Sequence, residues 1–157
     1  MRQLVTRRPV CDADQEFLFG VFCSAQSEKF ESLGLSPDQQ EQLLRMQFQA
    51  QRRSYSSQYP RGDFDVVLIN GVPAGNLYTQ RGPDKYVLID ITLWPQYRNN
   101  GVGAELVREL IQEASAAGKA VNAHVLRDSP AWRLWQRLGF REVADDGVYL
   151  RLSTAEV

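Results

Sequence analysis

The spacing of apolar positions divides the chain into stretches of helical and of strand period. Leu4 to Val10 carries a weak strand signal. Asp12 and Gln15 form a capping pair, after which Phe17, Leu18, Val21, Phe22 and Ala25 recur at helical spacing. A second helix opens at Ser36-Pro37-Asp38-Gln39. The Ser36 hydroxyl can accept a free backbone N–H, Pro37 suits the first turn, and Gln39 can reach back. Leu43, Leu44, Met46, Phe48 and Ala50 are its expected buried stripe, and the polar tail Gln51 to Ser57 leaves its end open.

The period then changes. Phe64 to Ile69 is a β-rich run, Asn70-Gly71 is a tight hairpin signal, and Pro73 to Tyr78 returns. Arg81-Gly82-Pro83-Asp84 makes another turn before the strand Tyr86 to Leu93. Strands joined by such short turns are antiparallel, since a parallel connection needs a long crossover. From Gly101 the spacing is helical again through Leu106, Val107, Leu110, Ile111 and Ala114, closed by Gly118. Val121 to Leu126 follows as a strand parallel to Tyr86–Leu93, completing a βαβ unit. Asp128-Ser129-Pro130 caps a short helix carrying Trp132, Trp135 and Leu138, stopped by Gly139. Phe140 to Ala144, the hairpin Asp146-Gly147, and Val148 to Leu152 finish the sheet. The expected fold is α/β (α+β): a mixed, mostly antiparallel twisted sheet with four helices, in the order β-α-α-β-β-β-α-β-α-β-β, formed by residues 1–157 as a single domain.

Composition narrows the function classes. With 18 basic and 19 acidic residues the net charge is −1, so no global field draws nucleic acid or an anionic membrane. No apolar run approaches the roughly 20 residues that span a bilayer. The start Met1-Arg2-Gln3-Leu4-Val5-Thr6 lacks the apolar core of a signal peptide. The two cysteines, Cys11 and Cys23, read as reduced, buried thiols, and one histidine, His124, is too few for a zinc cluster. A cytoplasmic protein without a metal is the expectation.

The chemistry concentrates where the strand Tyr86–Leu93 passes through Trp94-Pro95-Gln96-Tyr97 into Arg98-Asn99-Asn100-Gly101-Val102-Gly103. A helix begins there, and its first turn leaves N–H groups unpaired at the positive end of the dipole. Glycines at 101 and 103 let a pyrophosphate approach the backbone, and Arg98 adds a cation. A Rossmann fingerprint needs a further glycine in register and a P-loop a Gly-Lys-Ser/Thr ending; neither is present.

Arg98-Asn99-Asn100-Gly101-Val102-Gly103 fits the Q/R-x-x-G-x-G/A signature of the GNAT superfamily of acyltransferases, which the sequence resembles. Pro95-Gln96-Tyr97-Arg98 looks like that family's Pro-Glu-Tyr-Arg approach. Asp128 to Phe140 resembles its N-x-x-A-x-x-L-Y-x-x-L-G-F segment. The resemblance implies acetyl-CoA as acyl donor, lying between two splayed strands. Ile91, Thr92 and Leu93 would pair with the pantetheine arm, one N–H there polarising the thioester carbonyl. Arg98, Asn99, Asn100, Gly101, Val102, Gly103 and Ala104 would hold the pyrophosphate. Asp128, Ser129 and Trp132 would border the pantetheine from the other side. Two positions depart from the pattern: Asp128 stands for the family's asparagine, and Trp135 for a tyrosine that often protonates the departing thiolate. An indole N–H cannot do so, leaving Tyr78, Tyr149 or unaided departure.

An amine acceptor must lose a proton before it attacks, and Asp90, inside an apolar strand, is the candidate base because burial raises a carboxyl pKa. The alternative for Asp90 is a solvent-face charge or an arginine partner. The acceptor, a small-molecule or peptide amine, is expected near the two N-terminal helices, with Arg45, Gln49 and Arg52 on that side. No nucleic acid or membrane partner is implied, and a homodimer is compatible with the sequence. The leading function is N-acetyl transfer from acetyl-CoA to a primary amine by direct transfer in a ternary complex. The competing one is an acyl-CoA-binding sensor or regulatory module with little activity.

Overall fold

The computed structural model describes residues 3–31, 33–129 and 131–155, with the backbone alone at 27–31. Seven strands form one sheet: β1 (Val5–Pro9), β2 (Asp63–Ile69), β3 (Val72–Arg81), β4 (Tyr86–Leu93), β5 (Val121–Leu126), β6 (Arg141–Asp145) and β7 (Tyr149–Ser153). Their spatial order is β1-β2-β3-β4-β5-β7-β6, with β4 and β5 the parallel pair and the other neighbours antiparallel. The helices are α1 (Gln15–Glu31), α2 (Pro37–Gln58), α3 (Val102–Ala116) and α4 (Ala131–Arg137). Fold class and element order are as expected from the sequence. No helix among the described residues is long and apolar enough to cross a membrane.

Local chemistry accounts for the boundaries. The Ser36 hydroxyl accepts from the N–H of Gln39 at 3.2 Å while Gln39 accepts from the N–H of Ser36 at 3.0 Å, a reciprocal box with Pro37 behind it. Ahead of α1 the pairing differs from expectation: Asp14, not Gln15, closes the turn, accepting from the N–H of Cys11 at 2.8 Å. Arg8 donates to both Asp14 oxygens at 2.8 Å, holding that carboxyl well below its usual range. The cap suggested at Asp128-Ser129-Pro130 falls on Ser129, whose Oγ accepts from the N–H of Ala131 at 3.2 Å; Pro130 lies outside the described residues.

The sheet separates two apolar clusters. On one face α3 and α4 bury Leu106, Val107, Leu110 and Trp135 against Leu77, Leu88, Val121 and Leu152. On the other, α1 and α2 join through Leu18, Phe19, Leu44 and Phe48. Each fully buried side chain of this size stabilises by roughly 1.5–3 kcal/mol. The buried stripe of α2 is narrower than its apolar spacing: Met46 is 67% exposed and Ala50 is exposed, because the helix rests on α1 along one edge only. Cys11 is likewise exposed and Cys23 partly buried, and both are free.

Gly75 permits the close approach of β3 and β4. A Cβ there would sit 2.2 Å from the carbonyl oxygen of Thr92. On β4 a bulge decides which side chains face which cluster. Thr79 pairs with Leu88 but Tyr78 with Asp90, so Ile89 is the extra residue. Before it, Tyr86 and Leu88 point to the α3 cluster; after it, Ile91 and Leu93 do, and Asp90 and Thr92 turn to the α1–α2 face.

Candidate active site

The bulge coincides with the place where β4 leaves β5. The two pair only over Tyr86–Leu88 with Val121–Ala123, after which β5 is held by β7 as far as Leu126. From Asp90 to Leu93 β4 keeps β3 as its one strand neighbour. Its other edge presents N–H and C=O groups that need a partner, the condition for an extended ligand to add as a strand.

This edge opens onto a cleft of about 680 Å³ on the α1–α2 face. Leu18, Phe22 and Phe48 give it an apolar wall, while Asn76, Tyr78, Asp90 and Thr92 form its floor. Asp128 and Ser129 come in from the loop after β5, and Gly147 and Val148 from the last hairpin. Asp90 is partly buried there. The Asn76 amide donates to its Oδ2 at 2.9 Å, and the Thr92 hydroxyl lies 3.3 Å from the same oxygen. Burial pushes the Asp90 carboxyl up, and these two donors partly oppose the shift. Burial and the nearby Asp90 charge also raise the Tyr78 phenol, which stays neutral through the physiological range.

Asp90 therefore has no arginine partner among the described residues and does not lie on an open solvent face; it faces the cleft. Asn76, which sequence reading passes over, is a central part of the site and is only 5% exposed. Its signal is an asparagine within a strand, but only the register Asn76–Thr92 beside Tyr78–Asp90 shows what it touches.

The loop ahead of α3 turns through two left-handed residues. Asn99 has φ 64° and Gly101 φ 85°, both left-handed, a conformation that glycine adopts readily and asparagine at modest cost. Glu105 is the first residue whose N–H closes onto the helix, donating to the carbonyl of Gly101 at 3.0 Å. The N–H groups of Val102, Gly103 and Ala104 precede it in the first turn, where helix geometry supplies no acceptor. Gly103 is not required by packing within the chain, since a Cβ there would meet Ile91 and Leu93 side chains at an ordinary 3.9 Å. Arg98 points back from this loop. Its Nε donates to the carbonyl of Leu93 at 2.9 Å and its Nη2 to Ser24 Oγ at 3.3 Å, tying the loop to the end of β4 and to α1.

The remaining expected residues separate into two groups. Trp132 is partly buried and packs against the core beside α3, while Trp135 is 8% exposed, edge-on to Phe140 at 6.2 Å. Tyr149 is 47% exposed, whereas Tyr78 lines the cleft. Arg45 is engaged by Glu16 and Glu41 and stacks on Phe19, away from the cleft. Gln49 and Arg52 border an outer depression of α2 instead; the α2 polar residue that reaches the main cleft is Gln51. His124 is exposed on β5. No cluster of metal-binding side chains occurs among the described residues.

A sequence profile of the Acetyltransferase (GNAT) family matches residues 26–140, most of the chain. The protein belongs to the GNAT acetyltransferase family. No curated protein matches this GNAT sequence significantly. Among solved structures, the PaiA N-acetyltransferase of Thermoplasma acidophilum, in complex with coenzyme A, is similar with a TM-score of 0.70 at 17% identity, covering 98% of this chain and 99% of that one. An acetyltransferase of Thermus thermophilus gives 0.67 at 21% identity over 95% of each chain. The ribosomal-protein-S18-alanine N-acetyltransferase of Escherichia coli gives 0.63 at 21% identity over 96% of this chain and 92% of that one. At these identities the likeness concerns the fold.

Proposed function

We propose that this protein is an N-acetyltransferase that moves an acetyl group from acetyl-CoA to a primary amine by direct transfer in a ternary complex, with residues 1–157 acting as one acyltransferase domain. The observation that carries this reading is a juxtaposition: the unpaired edge of β4 and a carboxyl with a raised pKa meet in one cleft. The coenzyme A complex of the similarly folded Thermoplasma enzyme supports the choice of donor.

The donor set fits. The free N–H groups of Val102, Gly103 and Ala104, reached through Asn99, Asn100 and Gly101, suit a pyrophosphate. The β4 edge at Ile91, Thr92 and Leu93 suits an amide-bearing arm, with Asp128 and Ser129 lining the same cleft. Arg98 serves by fixing the loop to Leu93 and Ser24. Acetyl-CoA bound there supplies a thioester-activated acetyl group. Asp90 accepts the proton of the incoming ammonium, leaving a neutral amine, and its raised pKa makes it a stronger base for that step. Asn76 and Thr92 hold its carboxylate in place. Tyr78 remains a neutral phenol at the cleft wall.

Calorimetric titration with acetyl-CoA, followed by a turnover screen of small amines, peptides and antibiotics, tests the whole reading. Micromolar binding with acetylation of at least one amine is expected. Binding without turnover of any amine would instead mark an acyl-CoA sensor, and no binding would sink both.

A further inference from the structure

A second pocket lies on the far side of Tyr78 from Asp90. It measures about 200 Å³ and is lined by Val10, Arg52, Tyr55, Ser56, Phe64 and Tyr78. The Tyr78 ring belongs to both cavities, edge-on to Tyr55 at 6.1 Å and to Phe64 at 5.1 Å. The polar groups of the two cavities differ in kind. The main cleft has the carboxylates Asp90 and Asp128, and its one cation among the described residues, Arg127, is paired with Asp145 at 3.2 Å. Among the described residues the small pocket has no carboxylate in its lining: it offers a guanidinium, two phenols and a hydroxyl. Burial raises both phenols, so they remain neutral donors.

Arg52 is held in position without being neutralised. It donates to the amide oxygen of Gln15 on α1 and lies over the Phe48 ring at 5.7 Å. Arg7, Arg8, Arg45, Arg81 and Arg127 each have a carboxylate partner; among the described residues Arg52 has none. A preoriented guanidinium beside neutral hydroxyls and apolar walls is suited to a carboxylate.

We propose that this pocket receives a carboxylate carried by the acceptor, so that the acceptor class is a zwitterion: an amine that reaches Asp90 and a carboxylate that reaches Arg52, on either side of the Tyr78 ring. This deepens the acetyltransferase reading and rests on it. The aliphatic segment joining the two groups would have to cross Tyr78, the residue common to both linings. A plain alkylamine satisfies Asp90 alone and leaves the guanidinium with Gln15.

The test compares ω-amino acids of graded length with their carboxamides as acceptors for acetyl-CoA, in the parent protein and in Arg52→Gln and Arg52→Lys. Arg52 is exposed on α2, so the fold is expected to survive, and melting checks it. In the parent at least one acid should exceed its carboxamide in kcat/KM by about tenfold or more, the worth of a charge-assisted hydrogen bond. The advantage should lie in KM, fall toward unity in Arg52→Gln and recover in part in Arg52→Lys. Equal use of acids and carboxamides, or an unchanged ratio in Arg52→Gln, overturns the proposal. If no amine is turned over, NMR titration with the same ω-amino acids separates the two failures. Binding lost in Arg52→Gln upholds the carboxylate pocket while refuting acetyl transfer, and absence of binding refutes the pocket itself.

Discussion

The two halves of β4 belong to one strand and have opposite tasks. Tyr86–Leu88 is paired on both sides and buried, and it contributes to the core. Asp90–Leu93 loses its β5 neighbour and presents two polar side chains to a cleft. One inserted residue, Ile89, separates them. Without it, strict alternation from Tyr86 and Leu88 would send Asp90 into the α3 cluster, where an unpaired carboxylate costs several kcal/mol. The bulge turns that carboxyl toward a cavity instead. Backbone register, rather than the side chain alone, thus sets what Asp90 does.

The sharpest way to break this contrast is Asp90→Asn. Turnover should fall on the order of 10²–10⁴-fold, with acetyl-CoA affinity nearly intact. The same variant should be more stable. Because the folded-state pKa is raised, the native state binds that proton more tightly than the unfolded chain does. As pH climbs from the ordinary carboxylate range through the folded pKa, stability is therefore lost. Asp90→Asn escapes that loss, so its melting temperature should exceed the parent's near neutrality and converge with it in acid. Normal turnover, or a lower melting temperature at neutral pH, would make Asp90 a structural residue.

Next in size is Gly101→Asp. The position demands φ 85° and opens the first turn of α3, so aspartate adds strain and negative charge where phosphate is proposed to sit. Acetyl-CoA affinity should drop about tenfold or more. Unchanged affinity by calorimetry in a folded variant would remove the phosphate loop from the site.

How much of this is visible in the sequence depends on whether a feature is local. The strands Tyr86–Leu93 and Val121–Leu126 have the bounds that periodicity and turn residues indicate, and Ser36 caps α2 with Gln39 as expected. Such features rest on neighbours a few residues away. The site does not. Asp90 stands out as an oddity in an apolar run, but its face depends on a bulge that no residue type announces. Asn76 acquires its role from the partner strand. Arg98 resembles a phosphate ligand because it stands in the motif, yet Leu93 and Ser24 engage its guanidinium. Arg45 and Gln49 fit a polar helix face, and the way α2 lies on α1 keeps them out of the cleft.

Asn76→Ala probes the support beneath Asp90. Its amide favours the charged carboxylate, so removing it should raise the pKa of Asp90 further and move the acid limb of kcat/KM to higher pH. Near neutrality the rate should fall about tenfold or less, in line with one hydrogen bond. The other titratable and charged groups around the cleft, Tyr78, Tyr55, Arg127 and Asp128, are unchanged by the substitution. A uniform loss of rate with the limb in place would mean that Asn76 only packs.

The smallest kinetic effect is expected at Trp135, where the sequence leaves the family pattern. If this indole had displaced a needed acid, Trp135→Tyr would speed acyl transfer, because a phenol can give up a proton and an indole cannot. The side chain, however, is buried on the α3–α4 face against Phe140, across the sheet from Asp90 and absent from the cleft lining. A tyrosine there loses apolar area and must find a partner for its hydroxyl inside an apolar cluster. The variant should therefore lose about 1 kcal/mol or more of stability, read as a lower denaturation midpoint, with kcat within about twofold of the parent. A clear rate increase at unchanged acetyl-CoA affinity would reverse the assignment. It would mean that α4 reaches the reacting sulfur, that tryptophan has silenced an acid, and that the natural protein leans toward binding rather than turnover.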